Sequence, residues 1–298
     1  MQLTNLTGAT ADSVACNEVM TMVTRIITGI CIIAALIPII IFSSTWLFPI
    51  VMAIISVLCV FELSRCMGLH KHIIMLAPLY ILGAAFPFLQ RAIDDIVEVA
   101  IIAMMAVIFY IAYLFCCAIF SHGKITYPEI CTLCLTSLYI LFSINMIIYI
   151  RDYNGYVALL IFVGSWVTDA MAYFTGRLLG KHKLCPDVSP KKTIEGSIGG
   201  TLFCAISFVL TGVILNALVD GVSPNYIYLA ISGIIIAFVS QAGDLIMSVI
   251  KRHYKIKDFS NIFPGHGGMI DRMDSVFSVA LGIQALIMFT HLTGISFF

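Results

Sequence analysis

The chain has 298 residues, of which 61% are hydrophobic and 11% are charged. A soluble globular domain has about 45–50% apolar and about 25% charged residues, so this composition excludes an ordinary soluble domain, a disordered chain and a basic nucleic-acid-binding protein. The 16 Lys and Arg residues balance 16 Asp and Glu residues, so net charge identifies no partner. The composition predicts an all-α polytopic integral membrane protein with no nucleic-acid partner.

Apolar runs that are long enough to cross a bilayer recur along the chain. A spanning helix needs about 20 mostly apolar residues, and such runs predict about nine transmembrane helices, at residues 25–43, 46–63, 73–90, 97–120, 129–150, 156–179, 197–218, 226–250 and 275–294. The N-terminal tail is residues 1–24. Helices one to five, over 25–155, are expected to be a scaffold with a role in lipid access or dimerisation. Helices six to nine, over 156–298, form the expected catalytic region with two cytoplasmic loops.

The basic residues are distributed unevenly between the two sides that these helices define. Of the 16 Lys and Arg residues, only Arg91 and Arg151 fall on the side opposite to the tail and the long loops. Cytoplasmic segments of membrane proteins carry an excess of Lys and Arg. The asymmetry therefore predicts that the N-terminus and the long loops face the cytoplasm and that the C-terminus lies outside. For a bacterial chain, this membrane would be the cell inner membrane.

The loop that follows the sixth predicted helix, residues 176–200, combines cationic side chains with glycines. Gly196, Gly199 and Gly200 open the seventh helix. Cations beside a glycine-rich helix N-terminus suit a polyphosphate, because Lys side chains supply charge and free N–H groups supply donors. The alternative is an ordinary positively charged loop followed by small-residue helix packing. The cations are Arg177, Lys181, Lys183, Lys191 and Lys192.

The segment 241–275 places acidic, basic and glycine residues together at a helix end. Asp244 lies within the eighth helix, where a carboxylate costs up to about 2.5–3.5 kcal/mol, so it should face protein, water or a metal. Asp271 and Asp274 share a face if the ninth helix begins there. Carboxylates for a hard cation beside cations for phosphate indicate a metal–nucleotide site; the alternative is a salt-bridged surface loop. The segment also contains Lys251, Arg252, Lys255, Lys257, Asp258, Arg272 and the turn Pro264-Gly265-His266-Gly267-Gly268, whose backbone can approach a phosphate closely.

A stripe on the sixth helix supports the same site. Asp169, Tyr173, Gly176 and Gly180 recur at three to four residues and therefore lie on one helix face. An ionisable residue inside a membrane helix is a functional candidate by default. The alternative for Asp169 is a buried carboxyl group bonded to a neighbouring hydroxyl, such as that of Thr168.

These residues resemble the signature of the phosphatidate cytidylyltransferases, which are also called CDP-diacylglycerol synthases. The matching positions are Ser248-x-Ile250-Lys251-Arg252, Lys257-Asp258-x-Ser260 and Phe263-Pro264-x-His266-Gly267-Gly268-Met269-x-Asp271-Arg272-Met273-Asp274. The chain is also similar to the family at Gly243-Asp244-Leu245 and at Ser189-Pro190-Lys191-Lys192-Thr193-x-Glu195-Gly196. Family members often have Trp where this chain has Ile194. The resemblance is dense over residues 164–275, and before that it rests on hydropathy and length.

The resemblance implies a multi-span membrane enzyme that transfers CMP from CTP to phosphatidic acid, giving CDP-diacylglycerol and pyrophosphate. It implies that Asp244 and Asp271 bind Mg²⁺, with a second, monovalent cation such as K⁺, and that the chain forms a homodimer. The expected partners are CTP, phosphatidic acid and membrane lipids. The candidate catalytic residues are Asp244, Lys251, Arg252, Asp271, Arg272 and Asp274. The candidate substrate-binding residues are Asp169, Tyr173, Arg177, Lys181, Ser189, Lys191, Lys192, Thr193, Glu195, Gly196, Ser248, Lys257, Asp258, His266, Gly267 and Gly268.

Two other functions stay open at this point. A CTP-dependent lipid kinase that acts on a polyprenol or phytol would transfer the γ-phosphoryl group and release CDP, but the full signature is tied to cytidylyl transfer. A secondary transporter would also carry membrane carboxylates, but it would not need two lysine-rich loops. The sequence therefore favours a membrane-bound nucleotidyltransferase.

Overall fold

The computed structural model of the chain describes residue 34 and residues 37–93, 95–121 and 123–298. These residues form eight long helices: α1 (Leu47–Cys66), α2 (Ile73–Ala92), α3 (Ile96–Phe120), α4 (Tyr127–Tyr153), α5 (Gly155–Leu179), α6 (Ile194–Leu218), α7 (Tyr226–His253) and α8 (Ile270–Thr293). All eight are long and apolar enough to cross a membrane. They correspond to the second to ninth predicted helices, so the all-α polytopic architecture is confirmed. The tail 1–24 and most of the first predicted helix, 25–43, lie outside the described residues.

Local capping chemistry sets several helix ends. At the start of α4, Thr126 and Glu129 form a capping box, in which the Glu129 carboxylate accepts a bond from the Thr126 N–H. At the start of α5, the Asn154 side chain accepts bonds from the N–H groups of Tyr156 and Val157. These caps satisfy N–H groups that have no partner within their own helix. Each helix can therefore begin within a few residues of the end of the preceding one.

The segment between α5 and α6 contains a small β-hairpin that the sequence analysis did not predict. Strands β1 (Lys183–Cys185) and β2 (Ser189–Thr193) are antiparallel, with Lys183 opposite Thr193 and Cys185 opposite Ser189. Helix α6 then begins directly after β2, three residues before its predicted start. Part of the loop 176–200 is therefore an ordered hairpin next to the start of α6.

Helices α5 and α6 have the most extensive contact between any two elements, and glycines make it possible. A Cβ atom on Gly196 would lie 2.6 Å from the carbonyl oxygen of Ala172, and one on Gly200 would lie 2.9 Å from that of Thr168. Both distances are shorter than real Cβ atoms allow, so the two backbones approach as in small-residue membrane packing. The packing expected in the alternative is therefore observed at these glycines, while contact of this segment with a phosphate stays a prediction.

Hydrogen bonds show which helix ends share a face. The end of α1 contacts the start of α8 through Glu62, and the end of α7 contacts the hairpin through Arg252, which bonds the carbonyl of Val188. We call this surface the loop face. On the opposite face, Arg91 at the end of α2 pairs with Asp152 at the end of α4. The alternation agrees with the predicted helix count, whereas the cytoplasmic position of the loop face stays a prediction.

Candidate active site

Three half-buried carboxylates meet near the loop face, each from a different helix. Asp169 lies on α5, Asp244 on α7 and Asp274 on α8, and each interacts electrostatically with the other two. The Ser275 hydroxyl donates to Asp169 at 2.8 Å, and that of Ser248 is 3.4 Å from Asp244. The alternative for Asp169, a bond to a neighbouring hydroxyl, is thus met by Ser275, whereas the Thr168 hydroxyl donates to the Gly164 carbonyl. Three neighbouring carboxylates repel one another, so nearby positive charge stabilises the arrangement.

The hairpin supplies one of the compensating cations. Lys192 Nζ lies 2.6 Å from Asp244 Oδ2, and both side chains are about a quarter exposed. Neighbouring side chains on a strand point to opposite sides, and accordingly Lys191 is exposed while Lys192 is half-buried. The two lysines of the Ser189–Thr193 motif are therefore not equivalent. Lys251 and Arg272 are further positive charges that act on the carboxylate cluster.

Asp271 has a different environment from Asp244. Its side chain is 3% exposed, and its Oδ1 lies 2.9 Å from Lys251 Nζ, which is itself 11% exposed on the side chain. Its Oδ2 accepts hydrogen bonds from the N–H groups of Phe259 and Gly268, at 2.8 and 2.9 Å. Both oxygens thus have partners within the protein, and the carboxylate ties the end of α7 to the loop that follows it.

This loop, residues 254–269, is here called the signature loop, and its glycine turn is closed by its own backbone. The N–H of Phe263 donates to the Gly267 carbonyl, and that of His266 donates to the Phe263 carbonyl. Gly267 has φ +85°, a conformation that favours glycine. Because the N–H of Gly268 is bonded to Asp271, it is not a free donor for a phosphate in this arrangement. The buried Nδ1 of His266 has no hydrogen-bond partner among the described residues.

Glu62 is the residue of this region that the sequence analysis missed. It lies on α1 and is fully buried. Its carboxylate accepts bonds from the Ser260 hydroxyl at 2.5 Å and from the N–H groups of Met269 and Ile270, both at 2.8 Å. These bonds cap the start of α8 at Ile270, five residues before the predicted apolar span 275–294. The signal was available, because an ionisable residue inside an apolar run is unusual.

Three predicted substrate-binding residues of the first loop, Thr193, Glu195 and Gly196, have local bonding partners. The Thr193 side chain accepts the N–H of Gly196 at 3.1 Å and caps α6. Glu195 lies 2.6 Å from His182 Nδ1 and also accepts the N–H of His182. These bonds fold the hairpin back onto the start of α6, which holds Lys192 beside Asp244.

The remaining predicted residues lie on or near the loop face. The Arg177 guanidinium is 3.1 Å from the Tyr173 hydroxyl, and both side chains are exposed. Arg252 donates to the carbonyls of Val188 and Ile256, so it links the hairpin to the signature loop. The rest belong to the same surface but lie outside the carboxylate cluster. They are Lys181, which is exposed, Ser189, which is half-buried, and Lys257 and Asp258, which are exposed and line a cavity of about 470 Å³.

The donor chemistry of the cluster fits a hard divalent cation. No three His, Cys, Asp or Glu side chains within the described ranges are arranged as a complete metal site. Mg²⁺ does not need such a set, because it is usually held by one or two carboxylates together with water and substrate phosphates. Asp244, which has neighbours in Asp169 and Asp274 and is partly exposed, provides a carboxylate of this kind.

Comparison with known proteins places this geometry in context. The cytidylyltransferase family matches residues 23–290. A phosphatidate cytidylyltransferase of Bacillus subtilis is 34% identical to the chain over 209 residues, which cover 69% of this chain and 73% of the relative. Phosphatidate cytidylyltransferases of Staphylococcus haemolyticus and Aquifex aeolicus are 46% identical over 118 residues and 41% identical over 133 residues. These two alignments cover 44% and 48% of the relatives' lengths.

Proposed function

This chain belongs to the cytidylyltransferase family, and we propose that it transfers CMP from CTP to phosphatidic acid, giving CDP-diacylglycerol and pyrophosphate. It is an integral, multi-pass membrane enzyme. The observation that carries the proposal is the cluster of Asp169, Asp244 and Asp274 with neighbouring cations, in a chain similar over 69% of its length to a phosphatidate cytidylyltransferase.

The chemistry of this reaction makes positioning and charge compensation the main tasks of the enzyme. A phosphate monoester has a second pKa near 6, so phosphatidic acid is largely ionised at neutral pH and its oxygen can attack the α-phosphorus of CTP without a general base. The new P–O bond forms as the bond between the α- and β-phosphates breaks, and pyrophosphate leaves with the electron pair. Two anions must be held in line for this displacement, and their repulsion must be offset.

The cations near the loop face have distinct roles in the proposal. Lys192 and Arg272 lie close to the carboxylate cluster and would contact the triphosphate or the lipid phosphate once substrates enter. Lys251 is paired with Asp271, so its first role is to hold the signature loop in place. Outside the cluster, the exposed Lys191 and Arg252 extend the positive surface through which CTP approaches.

The proposal includes Mg²⁺ held by Asp244. The family resemblance implies Asp271 as a second ligand, although its oxygens are bonded to Lys251 and to two backbone N–H groups in this arrangement. When bound, the ion would neutralise charge on the phosphate oxygens of CTP. Asp169 and Asp274 would keep the pocket acidic around it, and the Ser275 hydroxyl orients Asp169. A monovalent cation such as K⁺ belongs to the same proposal, as does assembly into a homodimer.

The loop face is proposed to be cytoplasmic. The distribution of Lys and Arg supports this orientation, because among the described residues of these two types only Arg91 and Arg151 belong to the other face. CTP would then reach the cluster from the cytoplasm, while the phosphatidate headgroup would reach it from the adjoining leaflet. The site lies at the ends of α5 to α8, where both routes meet.

The test uses the purified full chain in detergent with phosphatidic acid, Mg²⁺ and CTP labelled at either the α- or the γ-phosphate. Label from the α-position in the lipid, with release of pyrophosphate, is the expected result. Label from the γ-position in the lipid would overturn the proposal and favour the lipid-kinase function. If the folded protein binds CTP but transfers no label, the proposal is overturned and the transporter function is favoured. Chelation by EDTA should abolish transfer, and added Mg²⁺ should restore it. Transfer that continues in EDTA would refute the Mg²⁺ requirement in the proposal.

A further inference from the structure

Glu62 connects the first half of the chain to the signature loop. The residue lies near the end of α1, and its partners Ser260, Met269 and Ile270 are 198 to 208 positions away in sequence. All three partners donate hydrogen bonds, so the side chain acts as an acceptor only, as an ionised carboxylate does. It also occupies the N-terminus of α8, where the helix dipole favours negative charge.

Glu62 and Asp271 hold the signature loop from two sides. Asp271 accepts the N–H groups of Phe259 and Gly268, and Glu62 accepts those of the next two residues, Met269 and Ile270. Three consecutive N–H groups at the loop–helix junction are therefore bonded to two carboxylates. Such charge-assisted bonds are short and strong in a buried setting, so they define where α8 begins and how its first turn is oriented.

The first two turns of α8 carry Asp271, Arg272 and Asp274, which the proposed reaction needs. Asp271 and Asp274 lie within five residues of Met269, and Arg272 lies between them. A cavity of about 470 Å³ lies between the end of α1, at Arg65 and Cys66, and the loop segment 256–261. Because side-chain packing is interrupted there, the bonds of Glu62 are an important part of the connection between α1 and the loop.

The backbone at Gly268 is shaped to this carboxylate. A Cβ atom on Gly268 would lie 2.5 Å from Glu62 Oε1 and 2.6 Å from Oε2. The absence of a side chain at Gly268 therefore leaves room for the Glu62 carboxylate at the loop–helix junction.

We propose that Glu62 is a positioning residue for cytidylyl transfer, acting through the signature loop and the first turn of α8 on Asp271, Arg272 and Asp274. The inference rests on the proposed function. If Glu62 has this role, α1 in the N-terminal half of the chain helps to position the residues of the site.

The test compares Glu62→Gln with Glu98→Gln in the purified full chain. The Glu62→Gln change keeps the size of the side chain but presents an NH₂ group to at least one of the three donors. Glu98, an exposed residue in the first turn of α3, lies at the opposite end of the membrane helices and serves as the matched control. We expect kcat to fall about 10–100-fold in Glu62→Gln, the range for outer-shell residues, together with a rise of at least about threefold in the KM for CTP. Glu98→Gln should match the parent.

A second measurement separates positioning from a general loss of folding. Hydrogen–deuterium exchange should become faster in residues 259–270 of Glu62→Gln and stay unchanged in α5 and α6. A smaller folded fraction would lower kcat alone and leave the KM for CTP unchanged, and that result would overturn the proposal, as would parent-like kinetics. Ser260→Ala, which removes one of the three bonds, should show the same changes at about two- to fivefold, and it provides the test if Glu62→Gln does not fold. Failure of the parent to transfer any label would refute the proposed function, whereas the exchange comparison would still test the hold of Glu62 on the loop.

Discussion

The two carboxylates expected to bind metal should respond differently when each is changed to the amide. Asp271→Asn and Asp244→Asn should both insert normally and lose nearly all turnover, but only Asp271→Asn should also lose much stability. The reason is burial: the side chains of Asp271 and Lys251 are 3% and 11% exposed, whereas those of Asp244 and Lys192 are 27% and 22% exposed.

The size of the difference follows from the partners of each carboxylate. An amide at residue 271 must direct its NH₂ group either toward Lys251 or toward the N–H groups of Phe259 and Gly268. In both orientations Lys251 loses the carboxylate that it contacts at 2.9 Å. Breaking a buried ion pair by removing one partner costs about 3–5 kcal/mol. The partly exposed pair of Asp244 and Lys192 is worth about 1 kcal/mol or less. We therefore expect a difference of about 2–5 kcal/mol between the two variants in the free energy of unfolding.

The assay is equilibrium unfolding of the purified variants in mixed detergent micelles, followed by a probe of helix content. The double variant Lys251→Met/Asp271→Asn should recover at least about 1 kcal/mol relative to Asp271→Asn, because it no longer buries an unpaired ammonium group. Equal losses of stability in Asp244→Asn and Asp271→Asn would refute this reasoning, because the argument depends on the contrast in burial.

Two further changes test other contacts. Gly268→Ala should destabilise the chain by about 1–3 kcal/mol, because the new methyl group would lie 2.5 Å from the buried Glu62 carboxylate. The loss of stability should be smaller when Glu62 is also changed to Ala. Additive losses in the double variant would count against a direct contact. Arg91→Ala should cost about 1–2 kcal/mol after allowance for the 36% exposure of Asp152, and should leave the kcat of the folded enzyme unchanged. An altered kcat would mean that the Arg91–Asp152 ion pair between α2 and α4, on the opposite face, affects the site.

Several features of the molecule could be predicted from its sequence because they depend on local composition. Transfer of apolar runs into the bilayer determines the helices, so the eight spans of the described residues were found with boundaries close to those observed. The residues of the α7–α8 segment could be recognised because Asp244 is costly within an apolar helix and because the signature is dense. Cluster membership was also predicted for Asp169, whose position on a polar stripe of α5 distinguishes it from the surrounding apolar residues.

Other features depended on how distant segments pack, and no local pattern specifies that. Contacts among α5, α6, α7 and the signature loop give Asp271 its partners. They also hold the hairpin in the position where Lys192 reaches Asp244 and Lys191 stays exposed. Glu62 shows the physical reason most clearly. The sequence contained its charge within an apolar run, but only the tertiary structure brings that charge to three hydrogen-bond donors about 200 residues away, where the carboxylate determines the first residue of α8.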